Sequence, residues 1–140
     1  MAMENTGMGT ERQLKVVVFS FGFKYGPPVD VNYLWDVRIL PNPHWVPELQ
    51  PRTGKEADVA GYVLESAAGR QLWQHLAALL DFLVDQSLAA DKKTLRIAIG
   101  CTGGRHRSVA VVEKIAGFLA GKPVDLTVFH RDIDRDGQTS

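Results

Sequence analysis

The run Ile99-Gly100-Cys101-Thr102-Gly103-Gly104-Arg105-His106-Arg107-Ser108 constrains the fold more than any other stretch. Before it, Leu95-Arg96-Ile97-Ala98-Ile99 is short, apolar and rich in β-branched residues, and reads as a buried strand. After it, Val109 to Leu119 is a proline-free helical pattern. Strand, glycine turn and helix aim backbone N–H groups at one point above a helix N-terminus. The first-turn N–H groups have no intrahelical partner and the helix dipole favours negative charge, so such a point attracts anions. Gly103 and Gly104 tolerate positive φ, which lets the loop curl into a nest. Arg105, His106 and Arg107 add cationic or donor groups.

The remaining pattern predicts an α/β fold. Leu14–Phe21 is nearly all apolar, as in a strand buried on both faces of a parallel sheet. Tyr33–Leu40 reads as a second strand, with Asp36 and Arg38 on one face. The segment from Pro41 to Lys55 holds too much proline for a helix or central strand, and a long ordered loop is more often functional than idle. A weak helix is expected over Glu56–Glu65, ending near Gly69. A stronger one follows over Arg70–Leu88, where Leu72, Leu76, Leu79, Leu80, Leu83 and Val84 make an apolar stripe. The helix after the glycine loop is apolar on two faces and should be well buried, and Val124–Phe129 is the last strand. Strands separated by helices give one small domain with a mainly parallel sheet and flanking helices, its strand-end loops gathered at one ligand-binding edge. Residues 1–12 read as a disordered segment, 13–132 as the domain and 133–140 as a frayed polar tail.

Composition narrows the function. Formal net charge is zero, which gives no general basic footprint for nucleic acid. The single cysteine, Cys101, forms no internal disulfide and suits a reducing compartment. No apolar run reaches a bilayer-spanning length and no signal core opens the chain, so a cytoplasmic protein is expected. A P-loop needs G-x-x-x-x-G-K-S/T; Arg52-Thr53-Gly54-Lys55-Glu56 lacks both the upstream glycine and the hydroxyl. His44, His75, His106 and Cys101 show no paired metal-ligand spacing, so neither a metal nor a cofactor is expected. Trp35 and Trp73 read as core, whereas Trp45, beside His44, suits a ligand wall or a core equally.

Cys101, Arg107 and Ser108 also match C-x5-R-S, the spacing of cysteine phosphatases, where a thiolate attacks phosphorus above a ring of backbone N–H groups. That chemistry needs a general acid. Asp30, Asp36 and Asp132 are candidates, and nothing in the sequence selects one. The blander reading makes Cys101 a small buried residue closing a strand. On this reading the loop binds an anion and no residue is assigned as catalytic.

Several separated stretches carry a family resemblance. Ser20-Phe21-Gly22-Phe23-Lys24-Tyr25-Gly26, Asp36 through Trp45, Thr53-Gly54, Ala98 through Val109 and His130-Arg131-Asp132 resemble the C-terminal domain of the RapZ/YvcJ family. The resemblance covers about residues 14 to 132. It implies a fold similar to a phosphofructokinase subdomain, and a sensor or adapter that binds glucosamine-6-phosphate and small RNAs and works with an endoribonuclease. Full-length members also carry an N-terminal P-loop domain, which has no counterpart in this sequence, so their nucleotide hydrolysis is not carried over. The family's metabolite pocket maps onto Arg38, His44, Thr102, Gly103, Gly104, His106 and Arg107, with Cys101 and Ser108 as loop shapers and Asn42 as a sugar-hydroxyl partner. RNA-binding members end in a basic cluster. Here Asp132-Ile133-Asp134-Arg135-Asp136 stands instead, leaving Lys15, Lys24, Arg105 and Arg131 for RNA. The expected partners are therefore a phosphorylated amino sugar first, then RNA, a separate nucleotide-binding or nuclease protein, and a second copy of the chain.

Overall fold

A computed structural model describes residues 13–135. Its sheet has four parallel strands in the order β2-β3-β1-β4. The strands are β1 (Leu14–Gly22), β2 (Tyr33–Asp36), β3 (Thr94–Cys101) and β4 (Val124–His130). Helices α1 (Ala57–Leu64) and α2 (Ala67–Ala89) lie between β2 and β3, and α3 (Arg107–Leu119) lies between β3 and β4. The expected α/β domain is therefore present. Residues 1–12, read above as disordered, and 136–140, the end of the expected tail, lie outside the described residues.

The side-chain alternation of the strands separates two cores. Leu14, Val16 and Val18 of β1, with Leu95, Ile97 and Ile99 of β3, pack beneath all three helices. Phe19, Phe21 and Ala98 point the other way, where the β1–β2 connection supplies Phe23 and Val31 as cover. That connection has no long helix; it carries one 3-10 turn, Phe23–Tyr25. Burial of β1 on both faces thus has two different causes, a helical layer on one side and a loop on the other.

Three boundaries differ from the sequence reading. β2 ends at Asp36: Val37 N–H to the Gly100 carbonyl is the last bond of its ladder, and the chain then turns, with Leu40 N–H on the Val37 carbonyl. The long helix begins at Ala67, not Arg70: Ser66 caps it by accepting from Gly69 N–H at 3.0 Å. Gly69 therefore sits inside the first turn, and a Cβ there would stand 2.3 Å from the Val63 carbonyl oxygen. At the start of the expected tail, Arg135 pairs with Asp132 at 2.9 Å and the Ile133 carbonyl accepts from Arg105. Trp35 and Trp73 pack against the core as expected, while Trp45 is 77% exposed.

Candidate functional site

The C-terminal ends of β1, β2 and β3 meet at the glycine loop. β1 and β3 run in register up to Gly22 and Cys101. Past that point the loop folds back over β1: a Cβ on Gly22 would stand 2.4 Å from the Gly103 carbonyl carbon. Gly104 has φ +76°, the positive value expected for it, and a Cβ there would meet Gly22 N at 2.7 Å. Two backbones can approach this closely only where both lack side chains. Lys24 N–H donates to the Thr102 carbonyl and ties the loop to the β1–β2 connection.

Arg107 is the first residue of α3 and is 5% exposed. One guanidinium nitrogen donates to the Arg38 carbonyl at 2.8 Å and more weakly to the Leu40 carbonyl at 3.4 Å. The other reaches the Thr102 hydroxyl at 3.3 Å, and Nε has no partner among the described residues. Burial lowers its pKa from the ordinary arginine value, offset by the neighbouring Cys101 and Asp36. As a guanidinium it stays charged. Among the described residues no carboxylate pairs with it. A buried guanidinium held by carbonyl and hydroxyl oxygens and by the Cys101 side chain, with no carboxylate against it, retains a demand for an anion.

Asp36 and Arg38 close one side. Arg38 forks onto Asp36, with Nη2 at 2.6 Å and Nε at 3.0 and 3.1 Å, and its guanidinium stacks 4.0 Å from the Phe23 ring. The hydrogen bonds from Arg38 hold the Asp36 carboxyl below the usual range. Asp36 is therefore ionised at neutral pH, which suits an acceptor and not a proton donor. Cys101 is fully buried and its Sγ lies 3.1 Å from Ser108 Oγ. The thiol and hydroxyl together seal the floor of the loop.

His44 and Asn42 belong to a 3-10 turn, Pro43–Trp45, on which Asn42 Oδ1 accepts from His44 N–H at 3.1 Å. The His44 ring meets the Trp45 ring edge to face, and its buried Nδ1 has no partner. His106 is fully buried, and its Nε2 lies 3.0 Å from the Gln50 carbonyl oxygen. Its side chain thus ties the proline-rich loop to the start of α3. Burial pushes its pKa down, keeping it neutral.

Of the four cations expected to serve RNA, Lys15 is exposed on β1, and Arg105 and Arg131 are held by oxygens of the domain itself. Arg105 donates to the Pro51 and Ile133 carbonyls. Arg131 pairs with Asp132 and donates to the Gly26 carbonyl. Lys24 stands beside Tyr25, its ammonium 5.4 Å from the ring centre.

Sequence reasoning missed three supports of this site. Asp132, weighed above only as a proton donor, is 1% exposed and accepts from Gly22 N–H at 2.7 Å. Gly54 N–H donates to the Arg105 carbonyl, and a Cβ on Gly54 would stand 2.2 Å from the His106 oxygen. Ser20, His130 and Glu113 form a chain of contacts at 2.8 and 2.7 Å that joins β1, β4 and α3. The available signal was the motif each belongs to, Thr53-Gly54 or His130-Arg131-Asp132; none advertises its partner.

Fold and loop together define an α/β domain with a glycine loop at the ends of its parallel strands and the buried cation Arg107 beside it. The family model described as the RapZ C-terminal domain matches residues 14–134, and the chain belongs to that family. A nucleotide-binding protein of Streptomyces coelicolor is 46% identical over 126 residues, which are 90% of this chain and 42% of that one. A nucleotide-binding protein of Pseudarthrobacter chlorophenolicus is 48% identical over 124 residues, 88% of this chain and 40% of its own. The counterpart from Limosilactobacillus reuteri is 43% identical over 129 residues, 92% and 44% of the two chains. The chain therefore spans less than half the length of these curated relatives. No helix among the described residues is long and apolar enough to cross a membrane.

Proposed function

We propose that this domain is a regulatory sensor that binds a small phosphorylated metabolite, a phosphorylated amino sugar of the glucosamine-6-phosphate kind, without transforming it. The observation that carries this reading is Arg107: a buried cation with no carboxylate partner among the described residues, at a helix N-terminus and beside a glycine nest. The phosphate takes Arg107 and the backbone donors of the 102–106 loop. The sugar extends toward Arg38, Asn42 and His44, where the ionised Asp36 offers an acceptor to a hydroxyl or ammonium group. Cys101 is a wall of the site, since its sulfur is enclosed and the Asp36 carboxyl is kept unprotonated. The relatives' description as nucleotide-binding attaches to chains more than twice as long, and this sequence lacks a P-loop run.

Isothermal calorimetry with hexose and hexosamine phosphates, the parent sugars and nucleotides tests the proposal. Phosphorylated sugars should bind, and Arg107→Ala should weaken them by about 1.5–3 kcal/mol through loss of charge-assisted hydrogen bonds. Equal affinity for the unphosphorylated sugars, or preference for nucleotides, overturns it.

A further inference from the structure

The indole of Trp45 stands on an arch of chain whose two feet rest on the start of α3. The first foot is the turn after β2, where the Arg38 and Leu40 carbonyls accept from Arg107. The second is Gln50, whose carbonyl oxygen lies 3.0 Å from His106 Nε2. His106 and Arg107 are neighbours in sequence, so the arch leaves and returns to one place. Trp45 is at its middle, equally far along the chain from Leu40 and from Gln50. That stretch of chain spans at most about 17 Å when fully extended. The 3-10 turn Pro43–Trp45 shortens the path further. Its His44 is close enough to His106 to oppose protonation of that ring.

The arch is stiff. Pro41, Pro43 and Pro47 each fix a backbone angle. Asn42 caps the turn, and Val46 N–H donates to the Pro43 carbonyl at 3.0 Å. Leu49 and Gln50 N–H both donate to the Val46 carbonyl at 2.9 Å. Pro43 and Leu49 are buried beneath. The Trp45 ring meets the His44 ring edge to face, with centroids 4.8 Å apart and planes at 81°. Backbone and neighbouring ring thus hold the indole in place, yet it is 77% exposed. The structure therefore excludes the core position that the sequence allowed for Trp45 and leaves the ligand wall. A tryptophan offers a chain more apolar surface to bury than most side chains, and here that stabilisation is forgone. A single indole is far smaller than a protein-docking patch of several hundred Å², and matches one ring of a small ligand.

We propose that Trp45 is the platform on which the ring of a phosphorylated pyranose rests while its phosphate is held at Arg107. This rests on the phosphosugar reading above and adds the residue that recognises the sugar as a ring. A pyranose is polar round its rim, where hydroxyls project, and apolar on its faces, where C–H bonds project. The rim finds hydrogen-bonding groups in Asp36 and Arg38. The face needs a flat apolar surface, and its C–H bonds, slightly positive at hydrogen, favour the negative face of an indole. Trp45 thereby makes a selection that the glycine loop and Arg107 cannot make alone. Free phosphate has no face to stack, so it gains the anion contacts only.

Calorimetry on the full chain with glucosamine-6-phosphate and with inorganic phosphate tests the proposal. Wild type should prefer the sugar phosphate. Trp45→Ala should cut that preference by about fivefold or more, and Trp45→Phe should restore most of it. Wild-type fluorescence gives a reading that needs no variant: glucosamine-6-phosphate should shield the exposed indole from quenching by acrylamide, and inorganic phosphate should not. An unchanged preference in Trp45→Ala, or equal shielding by the two ligands, overturns the platform and leaves the anion site standing. Failure of wild type to bind glucosamine-6-phosphate overturns the phosphosugar reading and the platform with it.

Discussion

Asp132 holds the glycine loop from the far end of the chain: its carboxylate accepts the Gly22 N–H at 2.7 Å, across 110 positions of sequence. Gly22 is the last residue of β1, and the loop's Gly103 and Gly104 rest directly on it. Asp132 also binds Arg131 at 2.8 Å and Arg135 at 2.9 Å. One buried carboxylate therefore fixes the strand end, the start of the tail and, through Gly22, the glycine loop.

Replacing Asp132 with alanine leaves the Gly22 donor and two guanidinium groups without their acceptor. The cost to stability should be about 2–4 kcal/mol. Asp132→Asn keeps an acceptor oxygen for Gly22 and should cost less. Urea denaturation measures both; an alanine variant within about 0.5 kcal/mol of wild type, the range of an ordinary surface change, would refute this account.

Gly104→Ala tests the cradle itself. The residue's φ is +76°, and its new Cβ would stand 2.7 Å from Gly22 N and 3.1 Å from Asp132 Cβ. Neither neighbour is a free side-chain end, so the loop must shift. We expect a stability loss of about 1–3 kcal/mol from overpacking and strain. Phosphate-ester affinity should fall at least tenfold in calorimetry, because the backbone donors move together. Full affinity in a folded Gly104→Ala protein would mean that the loop's backbone does not hold the anion.

Arg107→Lys separates charge from geometry. Lysine keeps the cation but cannot span the Arg38 carbonyl and the Thr102 hydroxyl, which lie on different guanidinium nitrogens of Arg107. The variant should bind phosphorylated ligands less tightly than wild type and more tightly than Arg107→Ala, in the same calorimetric series. Wild-type affinity in Arg107→Lys would reduce the residue's role to a point charge.

The parts of this site that one segment builds were legible in the sequence. Residues 95 to 119 hold a strand, a glycine turn and a helix, and Arg107 lies where that local pattern puts it. What was not legible depends on segments meeting. The extent of β2 looked longer because Val37, Ile39 and Leu40 continue an apolar run; the turn closed by Leu40 N–H on the Val37 carbonyl ends it. That turn is also what offers the Arg38 and Leu40 carbonyls to Arg107. His106 reads as a ligand by its neighbours, yet its ring faces Gln50 in a loop 56 positions away. Local pattern specifies elements, whereas the hydrogen bonds between elements follow from their packing.

His106 makes stability depend on pH in a defined direction. Its ring is enclosed beside the Gln50 carbonyl, and burial lowers its pKa from the ordinary histidine value near 6.5. In the unfolded chain the ring takes a proton at its ordinary value; in the folded chain it resists until lower pH. Below the ordinary value the unfolded state therefore binds more protons, and stability rises with pH through this window. The contribution is complete above about pH 7.5 and declines as pH falls through 6.5 toward the depressed folded value. Asp36 acts the same way in a lower window, since its carboxyl is held below its ordinary range by Arg38, although its exposure makes the effect small. Urea midpoints between pH 5 and 8 should thus fall on acidification, and His106→Gln should flatten the slope in the upper part of that range while lowering stability at pH 8. A wild-type midpoint that is flat from pH 8 to 5, or a slope unchanged by His106→Gln, would show that the ring is protonated as readily in the folded chain as in the unfolded one.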